Sequence, residues 1–153
     1  MKNPAEGTDD ITVTLSATAR CTFGAASWSG VQLVDTFGTV ASDSGFGVEI
    51  SVDVTSESGE VVIDACGCDA EVLIKVGADQ DERWNRLGNP GAISISSAGS
   101  SEDGADTVTM YWTWAGGANW ATIGVPLKPA APRVSRRPGL GFMFVEEPEL
   151  LAG

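Results

Sequence analysis

Apolar and polar positions alternate with a period of two along most of this chain, and helical spacing of apolar residues is almost absent. Val48, Ile50, Val52 and Val54 alternate with Glu49, Ser51 and Asp53. Successive side chains of an extended chain point to opposite faces, so this run predicts a half-buried strand. Val108, Met110, Trp112 and Trp114 alternate with Thr107, Thr109, Tyr111 and Thr113 in the same way. A turn is predicted at Ala115-Gly116-Gly117-Ala118, after which Ala121, Ile123, Val125 and Leu127 form the core face of a closing strand.

Weaker runs fill in the rest. Ile11, Val13 and Leu15 predict a first strand behind the turn Gly7-Thr8-Asp9-Asp10, and a second runs from Ala19 to Trp28, with Gly24 marking a bulge. The runs from Glu60 to Cys66 and from Ala70 to Val76 flank Gly67-Cys68-Asp69 and read as a hairpin, while Ile93 and Ile95 mark a short strand. About eight short strands separated by turns predict an all-β, antiparallel β-sandwich of jelly-roll type.

The pattern stops at Leu127. Residues 1–128 read as the sandwich domain and residues 129–153 as an extended tail. Lys128-Pro129-Ala130-Ala131-Pro132 opens the tail as a stiff, extended segment. Arg133, Arg136 and Arg137 follow, and then an apolar cluster containing Leu140, Phe142 and Phe144. If extended, those three share one face, as a peptide does when it adds to the edge of a sheet. These six residues are the candidate partner-binding set. The tail is expected either to pack on its own domain or to dock on a neighbour.

Charge sharpens this division. The chain carries 21 acids and 9 bases, a net charge of −12. Four of the bases, Lys128, Arg133, Arg136 and Arg137, lie between residues 128 and 137. The body is therefore strongly acidic and a poor ligand for a nucleic-acid backbone. No apolar run is long enough for a transmembrane helix, and the opening Met1-Lys2-Asn3-Pro4-Ala5-Glu6-Gly7 has no apolar stretch of the kind a secretory signal requires.

Cys21, Cys66 and Cys68 are too few and too odd in number for a disulfide framework. Cys66 and Cys68 should point to one face of a strand, and all three are expected to be buried free thiols. That suits assembly in a cytoplasm.

From Gly59-Glu60-Val61-Val62-Ile63-Asp64-Ala65 onward a wider pattern is recognisable. It continues through Val76-Gly77-Ala78-Asp79-Gln80-Asp81-Glu82-Arg83-Trp84-Asn85, Gly104-Ala105-Asp106-Thr107-Val108-Thr109-Met110, Trp112-Thr113, Trp120-Ala121 and Gly124-Val125-Pro126-Leu127-Lys128-Pro129-Ala130. Upstream, Asn3-Pro4 with Gly7-Thr8, and Ser27-Trp28-Ser29-Gly30-Val31, belong to the same pattern. The chain resembles a lectin-like β-sandwich domain of phage structural proteins and bacterial surface proteins. The resemblance implies an architecture and no catalytic set. Two departures stand out. Members usually have further strands before the Asn-Pro-x-x-Gly-Thr turn, and they seldom carry a basic, then apolar, tail after Lys-Pro-Ala. The first implies an incomplete sandwich, a degenerate fold, or an edge filled by a partner strand.

The residues offer little chemistry. Without histidine, neither a Ser-His-Asp nor a Cys-His arrangement is possible. Asp79, Asp81 and Glu82 are the candidate carboxylates for glycoside hydrolysis or for calcium, but they sit in an acidic turn that reads as solvated surface. No metal site and no cofactor is predicted. Trp114 and Trp120 flank one turn and are the candidates for stacking on a sugar, against a default of core packing. The expected function is that of a non-enzymatic virion structural protein, a capsid decoration (cement) protein or a tail or fibre module. It would be assembled in the host cytoplasm and form homo-oligomers or join a capsid or tail lattice. The alternative is a bacterial cell-surface adhesin or carbohydrate-binding module.

Overall fold

The runs of strongest alternation form the longest strands. The computed structural model describes residues 10–17, 21–88 and 95–131, so the candidate residues Arg133, Arg136, Arg137, Leu140, Phe142 and Phe144 lie outside the described part. Among the described residues there is no helix. The strands are β1 (Ala41–Thr55), β2 (Val61–Cys68), β3 (Lys75–Val76), β4 (Asp81–Arg86), β5 (Ser96–Asp103) and β6 (Thr107–Leu127). All pairings are antiparallel, in the order β1-β6-β2-β5-β4, with β3 also bonded to β6. The all-β, antiparallel expectation holds, with six strands among the described residues where about eight were predicted.

β1 and β6 form one long ribbon. Gly47 pairs with Ala118 and Glu49 with Thr113, so residues 114–117 of β6 stand opposite Val48 alone. The expected turn at Ala115–Ala118 is instead a bulge inside a continuous strand. Gly116 supplies the left-handed backbone it needs, at φ 86°. Pairing resumes on both sides because β1 also runs through.

The ribbon folds across itself at this bulge. A Cβ on Gly124, in the second half of β6, would meet Val54 Cγ2 at 2.6 Å, with Val52 and Met110 of the first half beside it. The two halves therefore face one another as the layers of a sandwich. Ile50, Val54, Val62, Met110 and Trp112 are fully buried between them. Each such side chain contributes roughly 1.5–3 kcal/mol.

This close approach inverts one expected face. Thr122, Gly124 and Pro126 point into the core, while Ala121 and Ile123 are exposed and Val125 is half-buried; of the expected face only Leu127 is buried. Small residues are inside because the facing valines already occupy the space. Upstream, residues 11–15 and 21–28 form no strand, and Ile11 and Val13 stay at least half exposed. The predicted hairpin also differs. β2 pairs with β5 and β6, and the segment after it crosses to place Lys75 and Val76 beside Thr113 and Trp112.

A buried carboxylate joins the layers. Trp112 Nε1 donates to Asp64 Oδ2 at 2.5 Å, and Ser100 donates to Asp64 Oδ1 through its N–H at 2.7 Å and its hydroxyl at 2.8 Å. Gln80 extends the network, donating to Ser100 Oγ at 2.7 Å and accepting from Tyr111 N at 2.8 Å. An unpaired buried carboxylate costs several kcal/mol, which these donors offset.

Burial holds the Asp64 carboxyl above its ordinary value, against the opposing pull of the bonds from Trp112 and Ser100. The folded chain thus binds this proton more tightly than the unfolded chain. Its contribution to stability is fully present below the unfolded value and is lost as pH rises through the folded one. Asp64→Asn removes that dependence. Either orientation of the new amide sets its NH₂ against a donor, Trp112 Nε1 or Ser100 N. Urea unfolding is expected to show a loss of about 1–3 kcal/mol and a flatter stability profile across the acid range. An Asn variant as stable as the parent at every pH would refute the role given to Asp64.

Candidate partner-binding surface

β1 is the longest of the edge strands. It is a 15-residue strand at one end of the sheet order and, among the described residues, bonds only to β6. Ser42 to Phe46 are all exposed, Phe46 is 73% exposed and Val48 49%. Its charged residues are Asp43, Glu49 and Asp53, with no base among them. Glu49 accepts from the Tyr111 hydroxyl at 2.9 Å and Asp53 from the Thr109 hydroxyl at 2.6 Å, ties that hold β1 to β6 on the outer face. The bond to Glu49 raises the Tyr111 phenol above its ordinary value.

The other end of the order is built differently. β4 has six residues, carries Asp81, Glu82, Arg83 and Arg86, and bulges between Glu82 and Trp84. Residues 21–28, expected as a strand, form an irregular strap here instead. The Thr22 hydroxyl bonds to that of Ser97. The Trp84 indole lies against Gly24 and Gly99. The Arg83 guanidinium sits 4.9 Å from the Trp28 ring centroid and donates to Ser101 Oγ at 2.8 Å. Beside the strap runs an open groove of about 560 Å³, lined by Phe23, Trp84, Ile95, Ala121 and Ile123 among others.

Acids gather in a smaller recess of about 300 Å³ lined by Asp79, Asp81, Glu102 and Asp103, with Arg83 and Trp28. Burial, then the charges of Asp79 and Asp103, raise the Glu102 carboxyl. Among the described residues, however, no cluster of acids, cysteines or histidines is arranged to hold a metal ion. Asp81 pairs with Arg83 at 3.3 Å, and Glu82 accepts from Asn85 at 3.0 Å. Asp79 stands in the preceding turn with φ 65°. All three carboxylates are exposed, but only Asp79 lies in a turn; Asp81 and Glu82, expected in the turn, open strand β4.

Trp114 is 8% exposed and belongs to the core with Ile50, Trp112 and Ala118, so its ring offers no open face to a sugar. Trp120 is half-buried at the edge of that cluster, against Gly45 of β1. Neither edge status nor the strap carries a local sequence signal. Val48 opens the alternating run that predicts a core face, yet it is exposed, because the run enters the core only at Ile50.

Among the described residues, no helix is long and apolar enough to cross a membrane. No protein-family model matches the chain, and no curated protein or solved structure matches it.

The thiols divide two to one. Cys66 and Cys68 are buried on the core face of β2, as their spacing predicts, but Cys21 is exposed on the strap, where an irregular segment gives it no covering layer. Burial, helped by the neighbouring Asp64 charge, pushes the Cys66 thiol far up, and burial likewise raises Cys68. A maleimide should label one thiol in the native protein and three after denaturation. Rapid native labelling of Cys66 or Cys68, read by peptide mass, would contradict the packing described for β2.

Proposed function

We propose that the chain is a non-enzymatic structural component of a bacteriophage particle, a capsid decoration (cement) protein or a tail or fibre module. On this reading it acts through contacts with other copies of itself or with neighbouring lattice proteins, and is assembled in the host cytoplasm. The observation that carries the proposal is the open β1 edge with its exposed Phe46 and Val48. Backbone groups along such an edge supply affinity and the alternate side chains supply selectivity. An edge of this length left open is an aggregation hazard, which favours a dedicated partner. The phage-like pattern between Gly59 and Pro129 and the buried unpaired thiols agree with this reading.

Deleting residues 139–153 tests it. The expected product is folded, with unchanged strand content by circular dichroism, and no longer assembles or decorates its particle. A truncated chain that unfolds, beside a full-length chain that remains a stable monomer at high concentration, would assign the tail to its own core and defeat the proposal.

A further inference from the structure

We infer that the outer edge of β1 receives the 139–145 segment of a second copy as an added antiparallel strand. This rests on the assembly reading above and names the surface that would carry it. Three observations select the acceptor and the occupant.

The first is the contrast between the two ends of the strand order, β3 being an edge of only two residues. β4 is short, charged with both signs and interrupted by a bulge, which are the devices that keep an edge from pairing. β1 offers fifteen residues with a single irregularity, between Gly47 and Glu49. The second is charge. Two β1 edges pairing with each other would bring Asp43, Glu49 and Asp53 together with no base to offset them, and like charges across a strand pair are destabilising. The 133–145 segment has the opposite character, with Arg133, Arg136 and Arg137 ahead of Leu140, Phe142 and Phe144. It is complementary to an acidic edge, and Leu140, Phe142 and Phe144 share one face if it is extended.

The third is where the described chain ends. Residues 126–130 are bonded along residues 30–38, with Gly38 N donating to Pro126 O at 2.9 Å and Ala130 N to Gly30 O at 2.7 Å. That lead-in lies between the exit at Ala131 and the molecule's own β1 edge. A tail returning to its own edge would cross the lead-in and enter from the Ala41 end, running parallel to β1. Parallel pairing is slightly weaker per residue. The edge of another copy imposes neither constraint. Eight residues, 132–139, can span at most roughly 26 Å if fully extended.

The test uses full-length chains carrying Cys21→Ser, Ser44→Cys and Met143→Cys, mixed from ¹⁵N-labelled and unlabelled stocks and oxidised. The expected result is a disulfide joining the β1 and tail peptides with one isotope in each, found by mass spectrometry. In the parent background, Asp43→Lys should shift self-association to higher concentration in sedimentation equilibrium, with the fold intact by circular dichroism. Cross-links found only within one isotope, or association indifferent to Asp43→Lys, overturn the β1 assignment. If tail deletion still abolishes association in that case, the assembly reading survives and only the acceptor is wrong. A full-length chain that is monomeric at every attainable concentration overturns the inference, and a chain that also fails to bind its particle overturns the assembly reading with it.

Discussion

The Asp64 carboxylate is the point at which this fold is decided. It is bonded to Trp112 and Ser100, and through Ser100 and Gln80 to Tyr111, so that one buried group ties β2, β5, β6 and the turn before β4 together. Hydrophobic burial supplies most of the stabilisation, but it is non-directional and tolerates sliding. A hydrogen bond to one indole nitrogen does not. It fixes the rotamer of Trp112 and the distance between the layers. A sandwich misregistered by two residues, which keeps the same faces inside, would bury the carboxyl without its donors, at a cost of several kcal/mol.

That network also explains why so polar a strand as β5 can lie inside. Ser96, Ser97, Ser100 and Ser101 are all buried. Ser96 donates to Ala70 O at 2.8 Å and accepts from Val72 N at 3.2 Å. Ser97 meets Thr22, and Ser101 accepts from Arg83. Hydroxyls partnered in this way cost little to bury, and their small size lets Trp84 lie close over Gly99. The strand is held by its partners and not by apolar content.

The same fact marks the limit of what the amino-acid pattern discloses. The facing halves of β1 and β6 were legible because Ile50, Val52 and Val54 alternate against Val108, Met110 and Trp112 on a core side that is wholly apolar. β5 carries no such alternation, and along the second half of β6 the interior positions include Thr122, Gly124 and Pro126, so of the apolar face expected there only Leu127 is fully inside. Gly116 and Gly117 read as a reversal because a glycine pair serves a bulge as readily as a turn, and the partner strand decides which. Ile11, Val13 and Leu15 alternate without finding a sheet. The candidate surface was less legible still, because an edge is a property of strand order. The acidic body and basic tail were visible, but the place where they meet required the topology.

A ribbon shared by both layers also has a mechanical consequence. β6 lies between β1 on one flank and β3 and β2 on the other. Tension applied to the chain beyond Ala131 enters along the axis of this interior strand. The bonds on both flanks are then loaded together in shear, not opened singly from one end as in a peeled hairpin. Neither layer can be drawn off while the other stands, since each contains half of the strand being pulled. A load arriving at the C-terminal end is carried by the whole sheet.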